Sequence, residues 1–354
     1  MKILLFLLIC GFAFSEPSRE IILLGHNSDV DLAAVEDVWE SDGEITYLTV
    51  AETMDIVSTD TKDTDFAIGI LTLAANITNN KTITIGSKVY TFQTTLTDVD
   101  GNVLIGALAT NSIDNLIAAI TLTGTPGTDY ALLMTEHPNV TAAAGAGDTM
   151  DATSEIGNNE AVTTETDDNA SWSNITLING VGLRSIRVEG LDNNYIEISE
   201  IVELNGTTDV TTTLAFLRVN KLNGQRVGSE NDNAGKITAT ATSAGTIQDV
   251  MGIADGISHN LHYTVPANKI AHIKQIEISA TDGVAIVLMS VHTREPGQSW
   301  HNIFNKNIDT AIETLFSTNI SNKLSAKTDF VIKANTDVNN IEVFARCSLL
   351  LLDK

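Results

Sequence analysis

The chain has 354 residues, of which 43% are hydrophobic and 18% charged, so it can form a packed core and is not a wholly disordered protein. Its 45 acidic residues outnumber its 20 Lys and Arg residues, which gives a formal net charge of −25. Because proteins bind phosphate backbones through Lys and Arg, this charge excludes nucleic acid and an anionic membrane surface as favoured partners.

The first 15 residues have the pattern of a secretory signal peptide. Met1 and Lys2 give a short positive start, residues 3–14 are almost wholly apolar, and Ala13 and Ser15 are small residues before a predicted cleavage site. The apolar run is about 12 residues, whereas a membrane span needs roughly 20. The alternative is a hydrophobic first strand that stays on the protein. Since no later stretch is long enough to cross a bilayer, we predict no membrane span.

The cysteine content predicts no intrachain disulfide. Cys10 falls within the predicted signal peptide, so the mature chain keeps only Cys347. Cys347 stands in an alternating apolar run with no base beside it, which indicates a buried, inert thiol rather than a nucleophile. Intermolecular pairing of this thiol is the alternative.

Short alternating runs rich in Thr, Val and Ile, separated by Asn, Asp and Gly, predict a mainly β protein. Residues 82–92 form two such runs around Gly86, which predicts a hairpin. Further strands are predicted at 185–188, 195–204, 210–219 and 236–242, and residues 270–291 are predicted to form another hairpin with its turn at Asp282 and Gly283.

One helix has a clear signature. Ile113, Leu116, Ile117 and Ile120 recur at helical spacing, and residues 124–127 contain the Gly and Pro that end it. Residues 308–315 have the same spacing, but their threonines keep a strand as the alternative. The weakly hydrophobic stretch 141–166 predicts strand ends and a long loop.

Several groups of polar residues and glycines partly match a binding-site motif, but each lacks residues that the motif requires. The pair His259 and His262 lacks further zinc ligands nearby. Residues 98–102 lack the spacing and closing Glu of an EF-hand and predict a turn. Gly180-Val181-Gly182 lacks the third Gly of a dinucleotide loop. Asp60, Asp63 and Asp65 predict a solvated acidic loop. Glycosylation sequons occur at Asn76, Asn139, Asn174, Asn205 and Asn319.

Several stretches together resemble a family of bacteriophage and viral virion structural proteins of the tail- or capsid-associated type. The resemblance covers roughly residues 30–60 and 178–300, a little under half the chain. It is carried by residues 30–39, Gly43, and residues 56–58, 180–192, 197–207, 216–220, 228–229, 233–237 and 263–267. The intervening hairpin, residues 103–106 and the helix resemble another module of phage structural proteins. The signal peptide departs from this pattern, because most phage virion proteins lack one.

The expected fold is mainly β: tandem β-sandwich or jelly-roll-like domains with a small α/β insertion domain. We predict a signal peptide (1–15), a discontinuous N-terminal β domain (16–65 plus 175–262), an inserted α/β domain (66–174) and a C-terminal β-sandwich (263–354). We also expect residues 16–40 to form an arm that docks on a neighbouring subunit.

The resemblance implies a non-enzymatic virion structural protein that self-assembles as an appendage, decoration or fibre subunit. We therefore predict no catalytic, cofactor-binding or metal-binding residue. Expected partners are further copies of the chain and other virion proteins, with host surface glycans or a receptor as further candidates. The expected location is the virion or the extracellular space. The alternatives are a secreted cell-surface adhesin or extracellular filament subunit, and a secreted carbohydrate-active enzyme.

Overall fold

The computed structural model describes residues 18–32, 35–41, 43–64, 66–154, 163–228, 232–280, 286–308, 312–316 (backbone only) and 323–354. Of the described residues, 52% are in strands and 4% in a helix, which confirms the prediction of a mainly β fold. The predicted signal peptide and Asp65 lie outside the described residues.

The strands and the helix are numbered in chain order. They are β1 (Arg19–Val30), β2 (Glu36–Asp37), β3 (Met54–Ser58), β4 (Ala67–Leu73), β5 (Thr82–Ile85), β6 (Lys88–Gln93), β7 (Asn102–Leu104), α1 (Ala109–Thr121), β8 (Val140–Ala144), β9 (Thr149–Ser154), β10 (Thr163–Glu165), β11 (Ala170–Trp172), β12 (Leu183–Leu191), β13 (Glu197–Glu203), β14 (Val210–Thr211), β15 (Arg218–Val227), β16 (Ile237–Ala241), β17 (Ile247–Met251), β18 (His262–Thr264), β19 (Lys269–Ala280), β20 (Val287–Arg294), β21 (His301–Ile308), β22 (Ile312–Phe316), β23 (Lys323–Leu324), β24 (Asp329–Thr336) and β25 (Ile341–Asp353).

The described residues form two compact units, and the first contains those of 18–45, 191–197 and 259–354. It has one sheet in the order β1-β25-β19-β22, with β23 also on β19, and a second in the order β18-β24-β20-β21, with β2 on β24. Both sheets contribute to one buried apolar cluster, which includes Leu23, Ile273, Met289, Phe330 and Leu349. This shared core makes the first unit a β-sandwich.

The N-terminal segment lies in this sandwich. β1 pairs antiparallel with β25 from Arg19 opposite Leu351 to Val30 opposite Ile341. Residues 19–30, expected to form part of an arm on a neighbouring subunit, are thus a strand of their own chain. The physical reason is that alternate side chains of β1, such as Leu23, are buried on the same face of the sheet as the apolar side chains of β25.

The second unit contains residues 46–190 and 198–258. Its four sheets have the orders β10-β5-β6-β7, β11-β4-β9-β8, β13-β12-β15 and β14-β3-β16-β17. α1 buries Ile113, Leu116 and Ile120 in a core cluster that extends along the chain from Ala67 to Leu177. The helix and the β5–β6 hairpin are confirmed.

Two other expectations have mixed outcomes. Residues 312–316 are a strand, so the strand alternative for 308–315 is the correct one there. Within the stretch 141–166, the structure has the paired strands β8 and β9 and the short β10, while residues 155–162 lie outside the described part.

The two compact units divide the chain differently from the predicted domains. Residues 18–45 belong with residues 259–354, and the predicted insert 66–174 belongs to the same unit as residues 46–65 and 175–190. The hairpin expected in residues 270–291 is wrong, because β19 and β20 lie in different sheets.

Candidate functional site

Cys347, His259 and His262 lie in three separate environments. Cys347 is fully buried in the sandwich core, and this burial raises the pKa of its thiol, so it stays protonated. His262 is buried with its ring edge on Trp39, the centroids 5.5 Å apart. His259 instead has Nδ1 3.9 Å from Oε1 of Glu40. In the part of the chain that the structure describes, His262 belongs to no group of three His, Cys, Asp or Glu side chains close enough to share a metal ion.

The acidic turn at residues 98–102 uses its carboxylates to hold a neighbouring loop. Oδ1 of Asp98 accepts the amide of Leu133 at 2.9 Å. Asp100 accepts the amide of Thr135 at 2.8 Å and its hydroxyl at 2.9 Å. Since these oxygens bind backbone and hydroxyl donors, the turn is a structural element.

The expectation of a solvated loop is wrong for Asp63, which lies at the centre of a buried hydrogen-bond network in the second unit. Its side chain is fully buried and accepts amides of Leu183, Ala234 and Gly235, each at 2.8 Å. The hydroxyl of Ser58 donates to Oδ2 of the same carboxylate. One charged group therefore joins the end of β3, the start of β12 and the turn before β16.

Glycines make room for this carboxylate. A Cβ on Gly182 would lie 2.5 Å from Oδ1 of Asp63, and one on Gly235 would lie 2.4 Å from the amide nitrogen of Asp60. Next to them, Asn233 donates to the carbonyls of Gly235 and Gly252, each at 2.6 Å. The residues 180–182 and 233–237, quoted above for the resemblance, thus act in packing the chain around Asp63.

A histidine cluster in the first unit was not found from the sequence. Nδ1 of His26 contacts Oε1 of Glu40, and its Nε2 lies 2.9 Å from Oε1 of Glu342. The imidazole stacks on Phe344, with ring centroids 4.4 Å apart and planes 6° apart. Since these residues are up to 318 positions apart in the chain, no local pattern could have brought them together.

This arrangement favours the protonated form of the His26 imidazole. The hydrogen bond with Glu40 raises the pKa of His26, and this effect outweighs desolvation, which lowers it. The His26 ring also borders a cavity of about 370 Å³ whose walls include Leu24, His259 and Phe344. The chemistry of the cluster is a charged imidazole that links two carboxylates from distant parts of the chain.

A second cluster, formed by Asp37, Glu44 and Lys333, holds the chain segment that contains Glu40. Oδ2 of Asp37 accepts the amide of Ile45 at 2.7 Å, and its Oδ1 lies 3.4 Å from Nζ of Lys333, which also donates to Glu44. Desolvation raises the pKa of Asp37 to about 6, although the charge of Lys333 opposes the shift. Both clusters take up protons more readily in the folded unit than in the unfolded chain.

The contribution of His26 to the folding of the first unit is therefore expected to weaken as the pH rises through and above 6.5, the ordinary pKa of histidine. A folded-state pKa raised above the unfolded value gives His26 a stabilising effect that is complete below the unfolded pKa and lost above the folded one. Chemical denaturation at a series of pH values in this range measures the change in unfolding free energy.

The matched variants are His26→Gln and His301→Gln. The first removes the titrating group of the cluster and should flatten the pH dependence in this range. The second changes an exposed histidine of β21 and should keep the wild-type profile. A wild-type profile in the His26→Gln variant would contradict the assignment.

The sequons differ in their access to solvent. The Asn76 amide donates to the carbonyl of Gly106 at 2.8 Å, and its Oδ1 accepts the hydroxyl of Ser112 at 2.7 Å, so this side chain is already engaged. Asn174 and Asn205 are exposed, and Asn139 is half-buried. Asn319 lies outside the described residues.

The described residues contain one helix, α1, and no helix with the length and apolar character of a membrane span. Comparison with known proteins adds no further constraint on the site: no protein-family model matches the chain, and no curated protein matches it at a significant level.

Proposed function

We propose that this protein is a non-enzymatic virion structural protein that self-assembles as a capsid- or tail-associated appendage, decoration or fibre subunit. Its partners are further copies of the chain and other virion proteins, with host surface glycans or a receptor as further candidates. Its place is the virion or the extracellular space, reached through the secretory signal peptide.

The observation that carries the proposal is the role of the residues on which the resemblance rests. Leu183 and Gly235 donate their amides to the carboxylate of Asp63, which lies outside the resemblance, and so join strands. A side chain at Gly182 would collide with that carboxylate, and the amide of Asn233 fixes the adjoining turn. Such positions hold a rigid scaffold and carry no reactive group. A protein whose distinctive residues maintain a stiff β framework is suited to a mechanical role in an assembly.

Self-association is the expected result for the purified mature chain. Virion parts repeat with symmetry, so we expect a mass above that of a monomer at micromolar concentrations. Light scattering after size-exclusion chromatography, over a series of concentrations, measures the mass. A chain that is monomeric throughout the series, together with its absence from purified particles by mass spectrometry, would refute the proposed function.

The second candidate is a secreted adhesin or extracellular filament subunit, which the signal-peptide pattern favours. It shares the expectation of self-association but not the genetic context. Capsid or portal genes beside the gene would support the virion protein, and a cellular gene neighbourhood would support the adhesin. A glycan-degradation assay tests the third hypothesis, a carbohydrate-active enzyme, for which we expect no turnover.

A further inference from the structure

The sheet that contains β25 ends in a long strand with a free edge. β1 has 12 residues and pairs with β25 on one side only. Within the described residues, no other backbone or side-chain group bonds the main chain of residues 20–28. Alternate amides and carbonyls of β1 therefore point away from the sheet, in the pattern that a further strand would pair with.

Proteins usually protect such edges with charges or by keeping them short, and the other edge strands of the described residues follow this rule. β13 has three glutamates, β15 has Lys221 and Arg226, and β21 has Lys306. β8, β17 and β22 have only five residues each. β1 has Arg19, Glu20 and Asp29 towards its ends, but its centre, residues 21–25, is uncharged and apolar.

The side chains of β1 suit the addition of an identical strand. Leu23 and Gly25 face the core, whereas Ile22 on the opposite face is 45% exposed. Because side chains alternate between the faces of a sheet, an antiparallel second copy can be in register with core-facing residues opposite one another. The exposed Ile22 would then be covered by apolar residues of the same face.

The net charge restricts where a second copy can approach this chain. Two chains that each carry a net charge of −25 repel one another over most of their surfaces. Residues 21–25 are a stretch where two copies can approach without placing like charges opposite one another. The same edge in both copies offers complementary donors and acceptors across a two-fold axis.

We propose that two copies of this chain pair antiparallel through the β1 edge, which joins their sheets into one continuous sheet. This inference rests on the proposed function, because it names the surface through which the assembly forms. Pairing along a single strand edge buries less than the roughly 1,600 Å² of a standard interface, so this contact is weak alone and gains strength in a repeated array.

Hydrogen exchange of the wild-type chain tests the pairing without any mutation. Mass spectrometry compares the mature protein in a concentrated, associated sample and in a dilute sample. The expected result is slower exchange of amides 20–26 in the concentrated sample, with no change at the edge strand β21. Equal exchange of amides 20–26 in two samples of different measured mass would overturn the inference while leaving self-assembly intact.

A charge at the edge is the second test. Ile22→Lys places a charge on the free strand and should raise the dissociation constant about tenfold or more. The matched control is Leu288→Lys, which adds the same charge to an exposed position of β20, a strand inside the other sheet. Sedimentation velocity measures the dissociation constants of both variants, and circular dichroism checks that they are folded. Wild-type association of a folded Ile22→Lys variant would overturn the inference alone. A wild-type chain that is monomeric throughout would contradict the self-association on which both the inference and the proposed function depend.

Discussion

Replacement of Asp63 by Asn is expected to lower the unfolding free energy of the second unit by about 3–5 kcal/mol. The carboxylate accepts four hydrogen bonds, three from backbone amides and one from the hydroxyl of Ser58. An amide side chain has only one acceptor oxygen, and its NH₂ group would face other N–H donors. Because the site is fully buried, water cannot replace the lost acceptor.

The control for this variant is Asp114→Asn. Asp114 lies on the exposed face of α1, so the same chemical change should alter stability by less than about 0.5 kcal/mol. Chemical denaturation followed by circular dichroism gives the free energies, and hydrogen exchange of residues 183–191 and 237–241 shows which strands loosen. Equal stability of the two variants would mean that Asp63 does not organise the second unit.

Replacement of Gly190 by Ala is expected to cost about 3 kcal/mol of unfolding free energy, through overpacking between two strands. A Cβ at this position would lie 2.0 Å from the carbonyl oxygen of Arg218 and 2.8 Å from Cδ1 of Phe216. β12 and β15 are neighbours in one sheet, so the backbone of Arg218 cannot move away without disturbing the ladder. The variant therefore tests whether this glycine, part of the stretch quoted for the resemblance, is required for packing.

Gly245→Asn provides the matched control. Gly245 has a φ of +65° and open space around its Cα, and Asn adopts this left-handed conformation more readily than other residues. The Gly245→Asn substitution should lower the unfolding free energy by less than about 1 kcal/mol. Thermal unfolding of both variants gives the comparison, and a Gly190→Ala chain as stable as Gly245→Asn would show that β12 and β15 tolerate a wider spacing.

The two units respond to different perturbations. The Asp63 network and Gly190 act in the second unit, whereas the His26 and Asp37 clusters act in the first. Loss of stability in the Asp63→Asn variant should therefore be seen in residues 46–190 and 198–258, and the pH dependence of His26 in the other unit. Hydrogen exchange resolved by peptide separates these effects.

Local sequence patterns determined which residues form strands, hairpins and the helix. The alternation at residues 82–92 is a property of neighbours in the chain, as is the spacing of Ile113, Leu116 and Ile120, and both correspond to the observed elements. Composition was sufficient for the mainly β class, because Thr, Val and Ile favour a pleated, half-buried backbone.

Only the tertiary structure decided which segments meet. β1 pairs with β25 more than 300 residues later, His26 meets Glu40 and Glu342, and Asp63 receives donors from Leu183 and Gly235. An alternating pattern shows which side chains will be buried but not which other strand will cover them, because many strands of this chain have similar apolar faces. Partner choice depends on how all of these faces can be buried at once, and the polar clusters form where that solution places distant side chains together.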